Sequence, residues 1–132
     1  MSKPVLTSHH LSCVLSLPAG QEKLGAQALV ELLKECVEKA GLSTMADVVA
    51  DFNPHGASAV AVLKESHVAA HIWPEHQACT IDIHVCDYLE DNLSKAKLLA
   101  KELSTAFGVD HRPEDWHVLT VKGAGREQCT TH

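Results

Sequence analysis

The chain has 132 residues, 45% of them hydrophobic and 21% charged, which excludes a disordered polymer and fits one globular domain. Eleven basic against 17 acidic residues give a formal charge of −6, which argues against a cationic nucleic-acid surface. Its two Trp, two Phe and one Tyr leave little for base stacking, and no run approaches the ~20 apolar residues of a membrane span.

From the N-terminus, Met1-Ser2-Lys3-Pro4 lacks the apolar stretch of a secretory signal, so a cytoplasmic protein is expected. Residues 6–17 are apolar and β-tolerant and close at Pro18-Ala19-Gly20, which predicts a strand. Residues 21–40 place Leu29, Leu32, Leu33, Cys36, Val37 and Ala40 at helical spacing, with Gly41 just beyond. A second strand is predicted at 44–52, ended by Asn53-Pro54-His55-Gly56. Two more, 58–64 and 66–73, meet at Lys64-Glu65, and Pro74 closes the later one. Residues 78–86 alternate, with Thr80, Asp82 and His84 on one side and Ile81, Ile83 and Val85 on the other. A second helix is predicted at 92–107, with Gly108 after it, and a last strand at 116–122. The tail from Gly123 is polar and expected to be loose.

The order is β-α-β-β-β-β-α-β. Short links between the central strands favour antiparallel neighbours. The expected fold is α+β: a two-layer sandwich of antiparallel β-sheet with two helices on one face. A small sheet with its other face bare often pairs with a second copy.

Ten His and five Cys stand out. Cys13, Cys36, Cys79, Cys86 and Cys129 are odd in number, irregularly spaced and without a CxxC, which predicts free thiols. His67 and His71 would share a metal ion on a helix, but in a strand four residues span about 13 Å, so no metal site is expected.

A longer pattern carries chemistry. Phe52, Pro54-His55-Gly56, Ser58, Glu65-Ser66-His67, His71, Trp73-Pro74-Glu75, Asp82 and Cys86 fall within one segment of a quarter of the chain. At these spacings the segment resembles the prokaryotic S-adenosylmethionine decarboxylase proenzymes, which are self-processing and pyruvoyl-dependent. The resemblance implies one domain over 1–132 that cuts itself between Glu65 and Ser66, giving a β chain (1–65) and an α chain (66–132). The Ser66 hydroxyl would attack the Glu65 carbonyl. Elimination would then leave a pyruvoyl group derived from Ser66 as the only cofactor. His71 would be the base for the elimination, an imidazole being suited to proton transfer near neutrality. Ser58 would polarise the reacting carbonyl. The pyruvoyl carbonyl would form a Schiff base with the substrate amine and act as the electron sink for loss of CO2. Cys86 would protonate the α-carbon, since thiols ionise near pH ~8.5 and can give up a proton. His84, on the same side of an alternating strand, is a candidate tuner of that thiol. Phe52 would stack on the adenine and Glu75 would hold the ribose hydroxyls.

This resemblance implies a carboxy-lyase of polyamine (spermidine) biosynthesis, made as a zymogen, acting on a small molecule as a homodimer of αβ protomers. Neither nucleic acid nor membrane is expected as a partner. Some positions depart from the family. No carboxylate follows His10-Leu11 before Glu22, Ile72 stands for Thr, His76-Gln77 for Tyr-Gly, and Asp87 for Gly. These departures touch substrate choice, so the same chemistry on L-arginine or L-ornithine is the alternative. A non-catalytic paralogue is a third reading.

Overall fold

A computed structural model describes residues 5–110 and 115–123; Cys129 and the tail beyond Gly123 lie outside them. Strand β1 runs Leu6–Ser16, followed by a short 3-10 turn (Gln21–Lys23) and helix α1 (Ala26–Lys39). Strands β2 (Thr44–Asp51), β3 (Ala57–Leu63), β4 (Ser66–Trp73) and β5 (Ala78–Cys86) come next. Helix α2 (Leu93–Ala106) and strand β6 (His117–Gly123) complete the described elements. The expected element order holds throughout.

The first helix differs from the expected 21–40. Gly25 is extended (φ −79°, ψ 167°) and provides no side-chain cap. The free N–H of Ala26 donates instead to Asp51 Oδ1 at 2.8 Å. Asp51 closes β2, so the cap comes from 25 residues away and leaves no local signature. Gly41 (φ 80°) and Gly108 (φ 75°) end the two helices in left-handed conformation, as their positions predict.

All six strands form one antiparallel sheet, ordered β2-β3-β4-β5-β1-β6. Strand β1 lies between β5 and β6, so the first strand in sequence is interior. The core lies between the sheet and the two helices. Leu11, Leu15, Val68, Ile81 and Ile83 meet Leu29, Val30 and Leu33 of α1 and Leu99 and Leu103 of α2, all fully or almost fully buried. Ala57, Ala59 and Ala61 on β3 keep that strand's inner face shallow, and α1 lies over β2 and β3. No helix among the described residues is long and apolar enough to cross a membrane.

The bare face of the sheet is different in character. Strand alternation places Ser8, His10, Ser58, His67, His71, His84 and Cys86 there, and none of them is fully buried. Large apolar residues share this face: Val14, Val48, Val62, Trp73, Leu119 and Val121 are each more than a third exposed.

Candidate active site

The hairpin between β3 and β4 is closed by Lys64 and Glu65, with Leu63 and Ser66 paired across it. Ser66 takes φ 147°, a region that costs a residue with a side chain roughly 1–3 kcal/mol. Its Oγ donates to Cys86 Sγ at 3.3 Å. The Glu65 carbonyl accepts the Cys86 backbone N–H at 2.8 Å. The Glu65–Ser66 peptide is therefore held from both sides by one residue at the end of β5.

Beside it lies a row of imidazoles. Register pairs His67 with His84 and His84 with His10, on three adjacent strands. The His10 and His84 rings stack at 4.2 Å, and His67 meets His84 edge-on at 5.1 Å. Ser8 Oγ bridges His84 Nε2 (2.7 Å) and His10 Nε2 (2.8 Å). His84 Nε2 also lies 3.6 Å from Cys86 Sγ. Partial burial, then the neighbouring His10 and His67, hold the His84 imidazolium below the usual 6.5.

Behind Cys86 the backbone is clamped. Asn92 Nδ2 donates to the Cys86 carbonyl at 3.0 Å. Asp87 accepts from buried His9 Nε2 at 2.8 Å and from the Asn92 backbone N–H at 2.9 Å. Desolvation pushes the Asp87 carboxyl up, but the Asn92 N–H and His9 outweigh it and hold it below the usual carboxylate value.

A second cluster occupies the other end of the same face. Ser58 and His71 are register partners on β3 and β4, with Oγ and Nδ1 2.6 Å apart. They line a cleft of about 450 Å³ with Phe52, Trp73 and Glu75. An adjoining cleft of about 570 Å³ shares Phe52 and Glu75 and adds Glu22, Lys23 and Asp51. Gly56, at the turn entering β3, has φ 110°, and a Cβ there would meet the Ile72 carbonyl at 3.4 Å.

Of the residues the sequence singles out, Glu65, Ser66 and Cys86 converge with His84 at one end. Phe52, Ser58, His71 and Glu75 converge at the other. Within one protomer the two groups stay apart: Ser66 and His71 sit on one strand, five residues or about 17 Å apart. Sequence reasoning does not find the bridging role of Ser8 or the His10–His84–His67 row. Alternation gives the shared face, but only the position of β1 beside β5 makes them neighbours.

These features define a class: a two-layer α+β protein whose bare sheet face carries a strained serine on a thiol. Residues 20–111 match the family model described as S-adenosylmethionine decarboxylase. A curated S-adenosylmethionine decarboxylase proenzyme from Sulfurihydrogenibium sp. is 39% identical over 94 residues, covering 71% of this chain and 70% of the relative. One from Persephonella marina is 40% identical over 73 residues, and there the match spans only 55% of either chain. The crystal structure of the adenosylmethionine decarboxylase from Aquifex aeolicus superposes with a TM-score of 0.68 at 26% identity, covering 90% of this chain and 91% of that one. The chain belongs to the S-adenosylmethionine decarboxylase family.

Proposed function

We propose that this chain is a proenzyme that cuts itself between Glu65 and Ser66 and becomes a pyruvoyl-dependent S-adenosylmethionine decarboxylase, a carboxy-lyase of polyamine biosynthesis. The observation that carries the reading is the hairpin. Ser66 is strained at φ 147°, its Oγ is held by Cys86 Sγ, and the carbonyl it would attack is held by Cys86 N–H. Attack by Oγ on the Glu65 carbonyl carbon moves charge to the carbonyl oxygen. The Cys86 N–H at 2.8 Å stabilises that charge as it forms. The amide is exchanged for an ester, and the unusual φ of Ser66 is released with the peptide bond.

Elimination then needs a base on the Ser66 Cα, which is the role proposed for His71. In a single protomer His71 is about 17 Å away along β4. A two-fold dimer formed through the bare sheet faces would bring the Ser58–His71 pair of one copy to the Ser66 of the other. The exposed Val14, Val48, Val62, Leu119 and Val121 on that face favour such a homodimer. The Ser58 hydroxyl, 2.6 Å from His71 Nδ1, would orient that imidazole and reach the same carbonyl.

The site suits a pyruvoyl group, because position 66 lies on an open face beside a thiol and needs no added molecule to hold it. Once formed, the group supplies a carbonyl for the substrate amine and an electron sink for loss of CO2. Cys86 delivers the proton that replaces CO2. Phe52, half exposed in the cleft, presents a face to the adenine, and Glu75 accepts from the ribose hydroxyls. Glu22, Asp51 and Glu75, against the single Lys23, leave the adjoining cleft acidic for the sulfonium. The same three carboxylates would serve a guanidinium or ammonium, which keeps L-arginine and L-ornithine as the second reading.

Intact mass under denaturing conditions, followed by CO2 release from S-adenosylmethionine, arginine and ornithine, tests this. Fragments 1–65 and 66–132, with the second blocked by pyruvoyl, are expected, together with CO2 from S-adenosylmethionine. An uncut chain inert towards all three substrates would leave the non-catalytic paralogue.

A further inference from the structure

Decarboxylation consumes one proton per turnover, because a C–CO2⁻ bond becomes a C–H bond. Under the function proposed above, on which this inference rests, Cys86 gives up its S–H proton each time and must recover it. We infer that His84, linked through Ser8 to His10, is the relay that returns that proton to Cys86.

The geometry is specific. Among the described residues, the side-chain hydrogen-bond contacts of Cys86 Sγ are the Ser66 hydroxyl at 3.3 Å and His84 Nε2 at 3.6 Å. That hydroxyl is the group consumed in making the pyruvoyl, so His84 is the neighbour that remains. Ser8 Oγ carries one proton and touches two ring nitrogens at 2.7 and 2.8 Å. It can donate to only one of them, so it accepts from the other. A hydroxyl in that position passes a proton by accepting from one ring while donating to its neighbour.

Cys86 S–H breaks as the substrate C–H forms, leaving a thiolate. His10, protonated from solvent, gives its Nε2 proton to Ser8 Oγ as the Ser8 proton moves to His84 Nε2. His84, now an imidazolium, donates to the thiolate and returns to neutral. The net change is one solvent proton moved onto sulfur. Burial and the other imidazoles disfavour a standing charge on His84, so a proton placed there passes on. The groups facing His84 are Ser8 and His10 from β1, His67 from β4, and Cys86 and Asp82 along β5. Asp82 is occupied by the Ser12 hydroxyl. His84 acts through Cys86 and is a positioning residue in this scheme.

His84→Phe keeps a ring to stack on His10 and removes the proton carrier. We expect it to be cut like wild type and to bind substrate with an unchanged KM. Its kcat should fall about 10- to 100-fold, most at alkaline pH, and recover with added imidazole. More turnovers should end with the proton on residue 66 rather than on the substrate. Hydrolysis then leaves alanine at 66 and releases an aldehyde, which the mass of the 66–132 fragment records. A readout independent of turnover is imidazole NMR of the uncut Ser66→Ala chain, where Ser8→Ala should move the His84 titration and displace the His10 ring signals. Unchanged kcat, pH profile and fragment mass would overturn the relay, as would a slow variant that imidazole does not rescue. Should His84→Phe fail to fold, Ser8→Ala decides on the same readouts with a smaller loss. A wild-type chain that is never cut, or releases no CO2, overturns the proposed function instead.

Discussion

Two hydroxyl clusters share the bare face of this sheet, one at each end of β4. The Ser58–His71 pair sits in regular cross-strand register, with a 2.6 Å contact that any well-formed sheet could provide. The Ser66–Cys86 pair sits on a hairpin where the backbone is forced to φ 147°. Register supplies a preorganised acid–base pair without strain. The hairpin supplies strain without a base. For the self-cleavage proposed above neither end would suffice alone, and along β4 they lie about 17 Å apart.

The largest effect separating the two ends is expected from Ser66→Ala, which should leave a single uncut chain of full mass and no activity. His71→Ala should also block maturation. Co-expression of the two variants should restore cutting of about half of the His71→Ala chains if each site takes one end from each copy. Mass analysis of the mixture reads this directly, and no cleavage in a verified mixed dimer would mean the ends do not meet across copies.

Smaller is the expected effect of Gly56→Ala, which shapes the Ser58–His71 end. A side chain at φ 110°, with its Cβ 3.4 Å from the Ile72 carbonyl, should cost about 1–2 kcal/mol in urea unfolding. Smallest is Asp87→Asn behind Cys86. The folded carboxyl titrates below its usual 3.8, so the unfolded chain binds the proton first as pH falls. Its contribution is present above that value and lost through the lower folded pKa. The stability gap between wild type and Asp87→Asn should therefore be steady at neutral pH and close in acid. A gap that instead widened in acid would contradict the His9–Asp87 pairing.

Element order and the alternating faces were legible because each depends on local spacing, as at Ile81, Ile83 and Val85. The start of α1 was not, since Asp51 caps it from another strand. The family resemblance names Ser66 and Cys86 as site residues, but their contact and the strain at φ 147° are properties of the closed hairpin beside β5. The imidazole row needed long-range register: His10 and His84 are 74 residues apart in sequence and stack only because β1 lies beside β5. The separation of His71 from Ser66, by contrast, is local: five residues of one strand span about 17 Å, and spacing alone implies it.

Opening the backbone after Glu65 would leave β1, β2 and β3 on one piece and β4, β5 and β6 on the other. Because β1 is seated between β5 and β6 while β3 borders β4, the two pieces are joined along three ladders of backbone hydrogen bonds. The Glu65–Ser66 bond lies at a reversal of direction, where Ser66 begins the ladders of β4 with β3 and β5. A nick there, as proposed, would free a new chain end for chemistry while those three ladders still clasp the halves like interlaced fingers.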